Sequence, residues 1–346
     1  MTAAVDLVAL TRSLVDIDST TGREKEAGVW LARYLRERGL TVTEQPVDAS
    51  RFNILATRPG AGPPELVFST HFDCVPPFFA SRLDGDRIVG RGSCDAKGIL
   101  AAQVAAADAL FRAGESRVGL LFLVGEERGS DGAHAANASA RGCRFLVNGE
   151  PTDNRLGIAT RGMARYRLSA RGRAAHSSFP ELGESAIDKL LDALVALRSI
   201  VLPLDPVLGR THYTVGLISG GVAPNVVSPS AEAEVMFRTV SDVAEVRRVI
   251  APVERLVTIE LVLDVPPARL TTVPGFDTAV FPYTTDIPFL GAWGKPLLYG
   301  PGSINVAHTA DEFVALSDLE TAVDGYVRIA RSLLNLLGSD GGQTPV

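Results

Sequence analysis

Three short apolar runs, separated by helical patterns, constrain the fold of this chain more than any other feature. The runs are residues 66–70 (LVFST), 118–124 (VGLLFLV) and 144–147 (RFLV). They are continuous rather than alternating, which is typical of strands buried on both faces. One helical pattern begins at Asp95 and another follows Gly129, so the order is strand, helix, strand, helix, strand. This order predicts an α/β fold with a doubly wound, largely parallel sheet.

Side chains of metal-binding types follow each of the three predicted strands. In strand order they are His71 and Asp73, then Glu126 and Glu127, then Glu150. Ligands of a parallel α/β sheet bind beyond the carboxyl ends of its strands. A single acid at such a place is most often a solvated surface group. Three strands that deliver ligand types to one edge favour a metal site.

Two aspartates extend this predicted site. Asp73 lies two residues after His71, so both side chains leave the strand on one face, and a carboxylate there can hold the tautomer of a metal-binding imidazole. Asp95 opens a helical run, where it is either a common helix N-cap or a carboxylate that points at the group held by His71. Thr21 and Glu24 have the spacing of a capping box and predict the start of an earlier helix.

The sequence pattern changes after residue 161, where apolar residues alternate with polar ones as in a half-exposed antiparallel strand. Further elements follow in the order β-α-β-β-α-β, which is that of a ferredoxin-like unit. His308 and a long helical pattern then remain for the first domain. We predict a first domain of residues 1–159 and 268–346, which carries the metal site. Residues 160–267 would be an inserted domain, whose exposed sheet edge suits the pairing of two subunits.

Charge and composition exclude several classes of function. The net charge is −6 and no basic block occurs, which argues against nucleic-acid binding. No apolar run is long enough to span a membrane and the N-terminus carries acidic residues, so we expect a cytoplasmic protein without membrane contact. The 3 cysteines lack CxxC spacing and indicate neither a disulfide framework nor a thiolate zinc site. The polar, glycine-rich residues 339–346 predict a disordered tail.

The chain resembles the M20 family of dinuclear zinc amidohydrolases in five motifs that occur in order. These are His71-x-Asp73, Gly90-Arg91-Gly92 with Asp95, Lys97 and Gly98, Glu126-Glu127, Gly149-Glu150-Pro151-Thr152, and His308. The resemblance covers nearly the whole chain. It implies that residues 1–159 and 268–346 form the zinc-binding catalytic domain and that residues 160–267 form a lid and dimerisation domain. Within the family, the chain is most similar to the acetylornithine deacetylase and succinyl-diaminopimelate desuccinylase branch. The segment 300–303 (GPGS), which leads to Ala307-His308 and Asp311-Glu312, favours the deacetylase side.

This resemblance implies a site of two zinc ions, for which cobalt or manganese ions are substitutes. The implied ligands are Asp95, which bridges the ions, His71 and Glu150 on one ion, and Glu127 and His308 on the other. Glu126 would be the general base that takes the proton of the attacking water and delivers it to the leaving amine. Asp73 would orient His71.

The resemblance also implies residues that contact the substrate. His176 would reach the site of the partner subunit in a homodimer and donate a hydrogen bond to the tetrahedral oxyanion. Asn225 and Arg238 match positions that hold the substrate, and a guanidinium can bind an α-carboxylate bidentately. Gly302 and Ser303 would shape the pocket around that end of the substrate.

We therefore predict a homodimeric zinc hydrolase that removes a small acyl group from the α-nitrogen of an amino acid, as in arginine biosynthesis. The motifs leave the substrate open, so acetylcitrulline, carrier-linked lysine or ornithine, and succinyl-diaminopimelate remain alternatives. A dipeptidase or carboxypeptidase would use the same metal centre. A third hypothesis is a metal-binding interaction protein without activity. The presence of Glu126 argues against it, because nothing in the predicted fold requires an acid there.

Overall fold

The computed structural model describes residues 3–140 and 142–339, with side chains described as far as residue 335. Apart from Ser339, the predicted tail lies outside these residues. The chain divides into two compact units. Unit 1 comprises the residues up to Ile158, Leu270–Ala279 and the residues from Thr285 onward, and unit 2 comprises Ala159–Arg269 and Val280–Thr284.

The helices and strands of the described residues are numbered in chain order. The helices are α1 (Leu7–Val15), α2 (Lys25–Glu37), α3 (Lys97–Arg112), α4 (Asp131–Asn137), α5 (Ala186–Arg198), α6 (Val243–Ile250) and α7 (Leu316–Ser339). The strands are β1 (Thr41–Pro46), β2 (Phe52–Thr57), β3 (Leu66–His71), β4 (Arg82–Asp84), β5 (Arg87–Val89), β6 (Val118–Leu123), β7 (Phe145–Asn148), β8 (Leu156–Thr160), β9 (Gly162–Arg171), β10 (Leu204–Asp205), β11 (Gly209–Arg210), β12 (His212–Gly220), β13 (Ser230–Thr239), β14 (Thr258–Val265), β15 (Ala268–Arg269), β16 (Thr278–Phe281), β17 (Lys295–Leu298) and β18 (Phe313–Ala315).

The main sheet of unit 1 has the strand order β1-β2-β6-β3-β7-β17. Strand β3 pairs in parallel with β6 and β7, and β17 pairs in parallel with β7. The strands β1 and β2 form an antiparallel hairpin at one edge. A connection as short as residues 47–51 can join only antiparallel neighbours. The predicted α/β fold is confirmed, with a mixed sheet whose parallel part carries the polar strand ends.

Both faces of this sheet are covered, as the continuous apolar runs predict. Phe68, Phe122 and Val147 lie in the larger core with residues of α1, α2, α3 and α7. Their chain neighbours Val67, Leu123 and Leu146 point to the other face and pack with Ala133 of α4 and Trp293. Since successive residues of a strand point to opposite faces, every position of these strands is buried.

Unit 2 contains a four-stranded antiparallel sheet in the order β12-β13-β9-β14. Its chain order β9-α5-β12-β13-α6-β14 is the ferredoxin-like arrangement predicted from the alternating pattern. The apolar residues of β9 and β13 are buried with α5 and α6 in a core of their own. Strand β12 lies at the sheet edge and is mostly exposed.

The remaining strands form three small sheets, β15-β8-β16, β18-β5-β4 and β10-β11. The pairing of β18 with β5 matters for the site, because β5 leads into the loop that carries Asp95 and β18 follows His308. Among the described residues, no helix is both long and apolar enough to cross a bilayer.

The predicted capping box of α2 is wrong. Glu24 itself occupies the N-cap position, and no side chain caps the helix. The Thr21 hydroxyl instead donates a hydrogen bond to the Asp73 carboxylate. A local spacing rule missed this contact because its partner lies 52 residues away.

Candidate metal centre

An aspartate placed between two histidines forms the middle of the site. Asp95 Oδ1 lies 3.0 Å from His71 Nε2, and Asp95 Oδ2 lies 3.2 Å from His308 Nε2. His308 Nε2 also lies 2.9 Å from Glu127 Oε1. Each carboxylate oxygen of Asp95 thus faces a different imidazole, an arrangement that suits a bridging ligand.

The elements that carry these residues explain their convergence. His71 is the last residue of β3, and Glu127 lies in a 3-10 helix, Glu126–Arg128, that follows β6. Asp95 precedes α3 without capping it, since Ala96 is the N-cap and its side chain forms no cap. His308 adopts a φ of 65°, a left-handed conformation that is uncommon for a non-glycine residue and concentrates at functional sites.

Glu150 follows β7 at the same edge of the sheet. Its side chain is buried, and within the described part of the chain its Oε1 has no hydrogen-bond partner. Burial raises the pKa of Glu150 well above its usual range, and the negative charges of Asp95 and Glu127 add to that effect. A buried carboxylate without a partner is costly, so this oxygen is a candidate ligand for a cation.

The carboxylates and imidazoles of the site perturb one another strongly. The hydrogen bonds to Asp95 and Glu127 raise the pKa of His308 to about 10. Burial disfavours the charged form of His71, but hydrogen bonds to Asp73 and Asp95 outweigh it and raise the pKa of His71 well above 6.5. Burial opposes ionisation of Asp95, yet the two histidines hold its pKa below the usual range. Asp95 and Glu127 thus stabilise the protonated forms of the two histidines in the metal-free protein.

These donors fit a pair of divalent metal ions. Ligand atoms of His71, Asp95 and Glu127 all lie within 4.8 Å of one another. Imidazole nitrogens and carboxylate oxygens are ligands that zinc binds. The unpartnered oxygen of Glu150 offers a further donor atom at the same edge of the sheet. The ligand assignments themselves stay predictions.

Asp73 contacts several residues of the site in addition to His71, which it was predicted to orient. Its carboxylate lies 3.4 Å from His71 Nδ1. It also accepts hydrogen bonds from the backbone amides of Glu126 and Glu127, at 3.1 and 3.2 Å, and from the Thr21 hydroxyl at 2.9 Å. One buried carboxylate therefore ties the end of β3 to the turn that carries both glutamates.

The Glu126 side chain occupies this turn without a hydrogen bond to any described residue. Burial raises its pKa well above 4.5, and the negative charge of Glu150 adds to the increase. An acid whose pKa is raised is better suited to accept a proton and return it. This environment agrees with the predicted general base, a role that stays a prediction.

Two further acids near the site were given no role from the sequence. The Glu312 carboxylate is fully buried and accepts hydrogen bonds from the loop that carries Asp95. Asp286 is buried, its Oδ1 has no partner among the described residues, and burial raises its pKa to about 7. Glu312 follows His308 by four residues, a proximity that was visible in the sequence. Nothing local to Asp286 indicated its place.

Three predicted substrate-contacting residues belong to unit 2. His176 and Asn225 lie on adjoining loops, joined by a bridge between His176 and Val226 and by the Ser177 amide, which donates to the Asn225 carbonyl at 3.0 Å. Arg238 is near the end of β13 and half-buried, and its side chain makes no hydrogen bond or ion pair with the described residues. Burial without a counter-ion lowers its pKa.

Gly302 and Ser303 lie in unit 1 beside the Asp95 loop. Gly302 has a φ of 76°, and a Cβ there would approach Cys94 Sγ to 2.6 Å, so the position requires glycine. The Ser303 carbonyl accepts from Cys94 Sγ at 3.5 Å. The contact of these two residues with a substrate stays a prediction.

The chain is similar in sequence to known peptidases. A sequence model of Peptidase family M20/M25/M40 matches residues 67–332. A peptidase M20 domain-containing protein of Schizosaccharomyces pombe is 38% identical over 338 residues, which cover 94% of this chain and 84% of that protein. A probable carboxypeptidase of Aspergillus terreus is 39% identical over 369 residues, which cover 93% of this chain and 85% of the relative.

Solved structures share the fold at low identity. The aminopeptidase PepT from Bacillus cereus has a TM-score of 0.77 and 20% identity, with 93% of this chain and 96% of that chain covered. A dinuclear metal binding peptidase of the M20 family from Bacillus subtilis has a TM-score of 0.74 and 16% identity, with 95% and 97% covered. At these identities the likeness establishes the fold alone.

Proposed function

Because the chain belongs to peptidase family M20/M25/M40, we propose that it is a two-metal hydrolase that cleaves an amide bond whose nitrogen belongs to an amino acid with a free α-carboxylate. The observation that carries this proposal is Asp95, with one oxygen toward His71 and the other toward His308. A carboxypeptidase or dipeptidase and an Nα-acyl amino acid deacylase both perform this reaction. They differ only in the acyl side of the bond.

The proposed metal ligands are those that the family resemblance implies, and the contacts of Asp95 support them. Asp95 would be shared, His71 and Glu150 would serve one ion, and Glu127 and His308 would serve the other. Two divalent ions held by these residues would lower the pKa of a bound water toward about 7 and would polarise the carbonyl to be attacked. Asp73 keeps the turn with Glu127 at its place through two backbone amides.

Glu126 is the proposed proton carrier. Its backbone amide is anchored on Asp73, while its carboxylate makes no hydrogen bond within the described structure and stays available. The carboxylate takes a proton from the attacking water and passes it to the leaving nitrogen, so that the amino acid leaves as a neutral amine. The raised pKa of Glu126 suits both transfers.

His176 is the proposed donor to the oxyanion. The Ser178 amide donates a hydrogen bond to His176 Nδ1 at 3.1 Å, which makes Nδ1 the acceptor of a neutral imidazole. The ring proton therefore lies on Nε2, where the imidazole can donate to an oxygen that gains negative charge. Asn225 is joined to the same loop and is proposed to contact the substrate.

Arg238 is the proposed site for the free α-carboxylate. Its guanidinium is half-buried without a counter-ion among the described residues, and this burial cost would be relieved by a carboxylate ligand. An anionic C-terminus is common to peptides and to Nα-acyl amino acids. Gly302 and Ser303 are proposed to be substrate contacts that unit 1 supplies.

Unit 2 is also the proposed dimerisation domain. The edge strand β12 exposes Leu217 and Ile218 at 66% and 59%, and the outer face of α5 exposes Leu191 and Val195 at 50% and 61%. An apolar edge strand with unpaired backbone groups can be completed by a second copy of the chain across a two-fold axis. Light scattering of the purified protein tests this proposal, which a monomer at all concentrations would contradict.

The activity of a carboxypeptidase or dipeptidase is favoured over that of an Nα-acyl amino acid deacylase. Its support is the name of the Aspergillus terreus relative, a probable carboxypeptidase, at 39% identity. The acetylornithine deacetylase-like activity rests on the motif within residues 300–312 and is the second candidate. A site without activity is disfavoured, because the Glu126 carboxylate has no structural partner.

The test is amine release by the zinc-loaded protein from a panel of substrates. The panel contains dipeptides with free and amidated C-termini, Nα-acetylornithine, Nα-acetylcitrulline, Nα-acetyl-lysine and N-succinyl-diaminopimelate. We expect cleavage of the free dipeptides and none of the amidated ones. Cleavage of one acyl amino acid alone would identify a deacylase. Silence on every substrate with a free carboxylate would overturn the proposed function.

A further inference from the structure

The Glu312 carboxylate lies at the centre of an extensive hydrogen-bond cluster. Its Oε1 accepts hydrogen bonds from three backbone amides, those of Gly92 at 3.0 Å, Cys94 at 3.1 Å and Asp95 at 3.1 Å. Its Oε2 accepts from Arg91 Nη1 at 2.6 Å. The side chain is fully buried, so none of these donors can turn to water instead.

The cation of this cluster is itself held in place. The side chain of Arg91 is 3% exposed, its Nε donates to the Pro77 carbonyl at 3.2 Å, and its guanidinium lies 5.0 Å from the ring centroid of Phe79. Burial of both partners makes the pair sensitive to the loss of either charge. Arg91 thus holds the Glu312 carboxylate in one position, where it can accept hydrogen bonds from residues 92–95.

The loop 92–95 depends on this carboxylate because it has little regular structure of its own. Gly92 takes a φ of 83°, and the loop lies between β5 and α3. A charged acceptor for three amides replaces the ladder bonds that a strand would supply. The last of those amides belongs to Asp95, the residue proposed to be shared by both metal ions.

Glu312 also fixes the segment that carries His308. The Glu312 carbonyl accepts from the Gly90 amide at 3.0 Å, and the next residues form β18 against β5. One residue therefore binds the Asp95 loop through its side chain and the strand before that loop through its backbone. It stands four residues from His308.

We propose that Glu312 is a positioning residue that sets Asp95 relative to His308, so that both oxygens of Asp95 face a ligand-bearing imidazole. Glu312 is not a metal ligand and has no contact with the substrate in this role. The inference rests on the proposed two-metal function.

The test compares Glu312→Gln with a matched control, Glu115→Gln. A glutamine at residue 312 can face the three amides with its oxygen only if its NH2 group faces the Arg91 guanidinium. Glu115 receives the same kinds of hydrogen bond, from the Ser116 and Arg117 amides at 2.9 Å and from the Arg117 guanidinium, although its side chain is 21% exposed. It precedes β6, whereas the proposed ligand Glu127 follows that strand, so it lies about 20 Å from Glu127 along the strand.

Both variants are titrated with cobalt(II), and the visible d–d absorption of the bound ion is recorded. The expected result is that Glu312→Gln binds at least one of the two ions about 10- to 100-fold more weakly, the range seen when the hydrogen-bond partners of metal ligands are lost. Its cobalt spectrum should differ from that of the wild type, while Glu115→Gln keeps both affinity and spectrum. The kcat should fall by a larger factor than that by which KM changes.

Three outcomes would overturn the inference. Unchanged cobalt affinity and spectrum in Glu312→Gln would show that the loop does not need the charge. Equal losses in Glu115→Gln would reduce the effect to general destabilisation. A wild-type protein that binds no pair of cobalt ions would overturn the proposed function and this inference together. If circular dichroism shows that Glu312→Gln is unfolded, Glu312→Asp keeps the charge on a shorter arm and should give an intermediate cobalt affinity, and wild-type behaviour would again refute the role.

Discussion

The adjacent residues Glu126 and Glu127 should respond to the same isosteric substitution in opposite ways. In Glu126→Gln the backbone stays anchored, because its amide still donates to Asp73 at 3.1 Å and the lost carboxylate held nothing else. Both metal ions should therefore remain bound. In Glu127→Gln a neutral amide replaces the carboxylate whose oxygen lies 2.9 Å from His308 Nε2. Metal binding should weaken, because a negatively charged proposed ligand is lost.

The expected loss of turnover in Glu126→Gln follows from its role. A positioned general base contributes about 10²- to 10⁴-fold, so kcat should fall by that factor, which is about 3 to 5 kcal/mol of transition-state stabilisation. KM should change little, because no substrate contact is assigned to Glu126. The metal-free variant should also melt at a higher temperature than the wild type near pH 7. Burial and the charge of Glu150 raise the pKa of Glu126, so the ionised carboxylate destabilises the folded state.

The assay combines metal analysis, thermal unfolding and initial rates on the substrate that the panel identifies. Two metal ions per chain with a kcat at least about 100-fold lower would support the assigned role. Loss of metal from Glu126→Gln, or a kcat within tenfold of the wild type, would refute it. Glu127→Gln serves as the internal control, since it should lose metal in the same experiment.

The remaining predictions concern four other side chains. Asp73→Asn should weaken metal binding about 10- to 100-fold in chelator competition, because its carboxylate anchors the turn with both glutamates; unchanged affinity would contradict this. Arg238→Ala should raise KM for substrates with a free carboxylate about 10- to 100-fold, the equivalent of one charged hydrogen-bonded contact, with kcat affected less; an equal effect on an amidated substrate would exclude the contact. His176→Ala and Glu126→Gln should each be nearly inactive as homodimers, and mixing them should restore part of the activity if His176 acts on the partner's site. Burial raises the pKa of Asp286 in the folded metal-free protein to about 7, from an ordinary value of 3.8, so the free energy of unfolding should decrease as pH rises from about 4 to about 7. Urea unfolding of Asp286→Asn should show a smaller decrease over this pH range, and a decrease equal to that of the wild type would refute the raised pKa.

Local patterns in the sequence were sufficient for the fold class. The continuous runs of β3, β6 and β7 and the alternation in β9 and β13 are set by burial on two faces or on one, and burial leaves its period in the chain. The same patterns placed His71, Glu126 and Glu150 at the strand ends. Their convergence follows from the rule that parallel strands share one carboxyl edge.

The tertiary structure alone decided which groups support those residues. Thr21 contacts Asp73 across 52 residues, and Glu312 contacts the Asp95 loop across 217 to 220. Such contacts depend on how distant segments pack, and no short window of sequence contains both partners. The buried acid Asp286 was missed for the same reason.

The sequence by itself determined the kinds of side chain that the site contains and the edge of the sheet where they collect, because strand ends and residue types are local properties. Only the tertiary structure decided that Asp95 faces an imidazole with each oxygen and that Asp73 anchors two backbone amides. The physical reason is that a hydrogen bond is fixed to a few tenths of an ångström by the packing of the whole unit, whereas a sequence period fixes only the face on which a side chain lies.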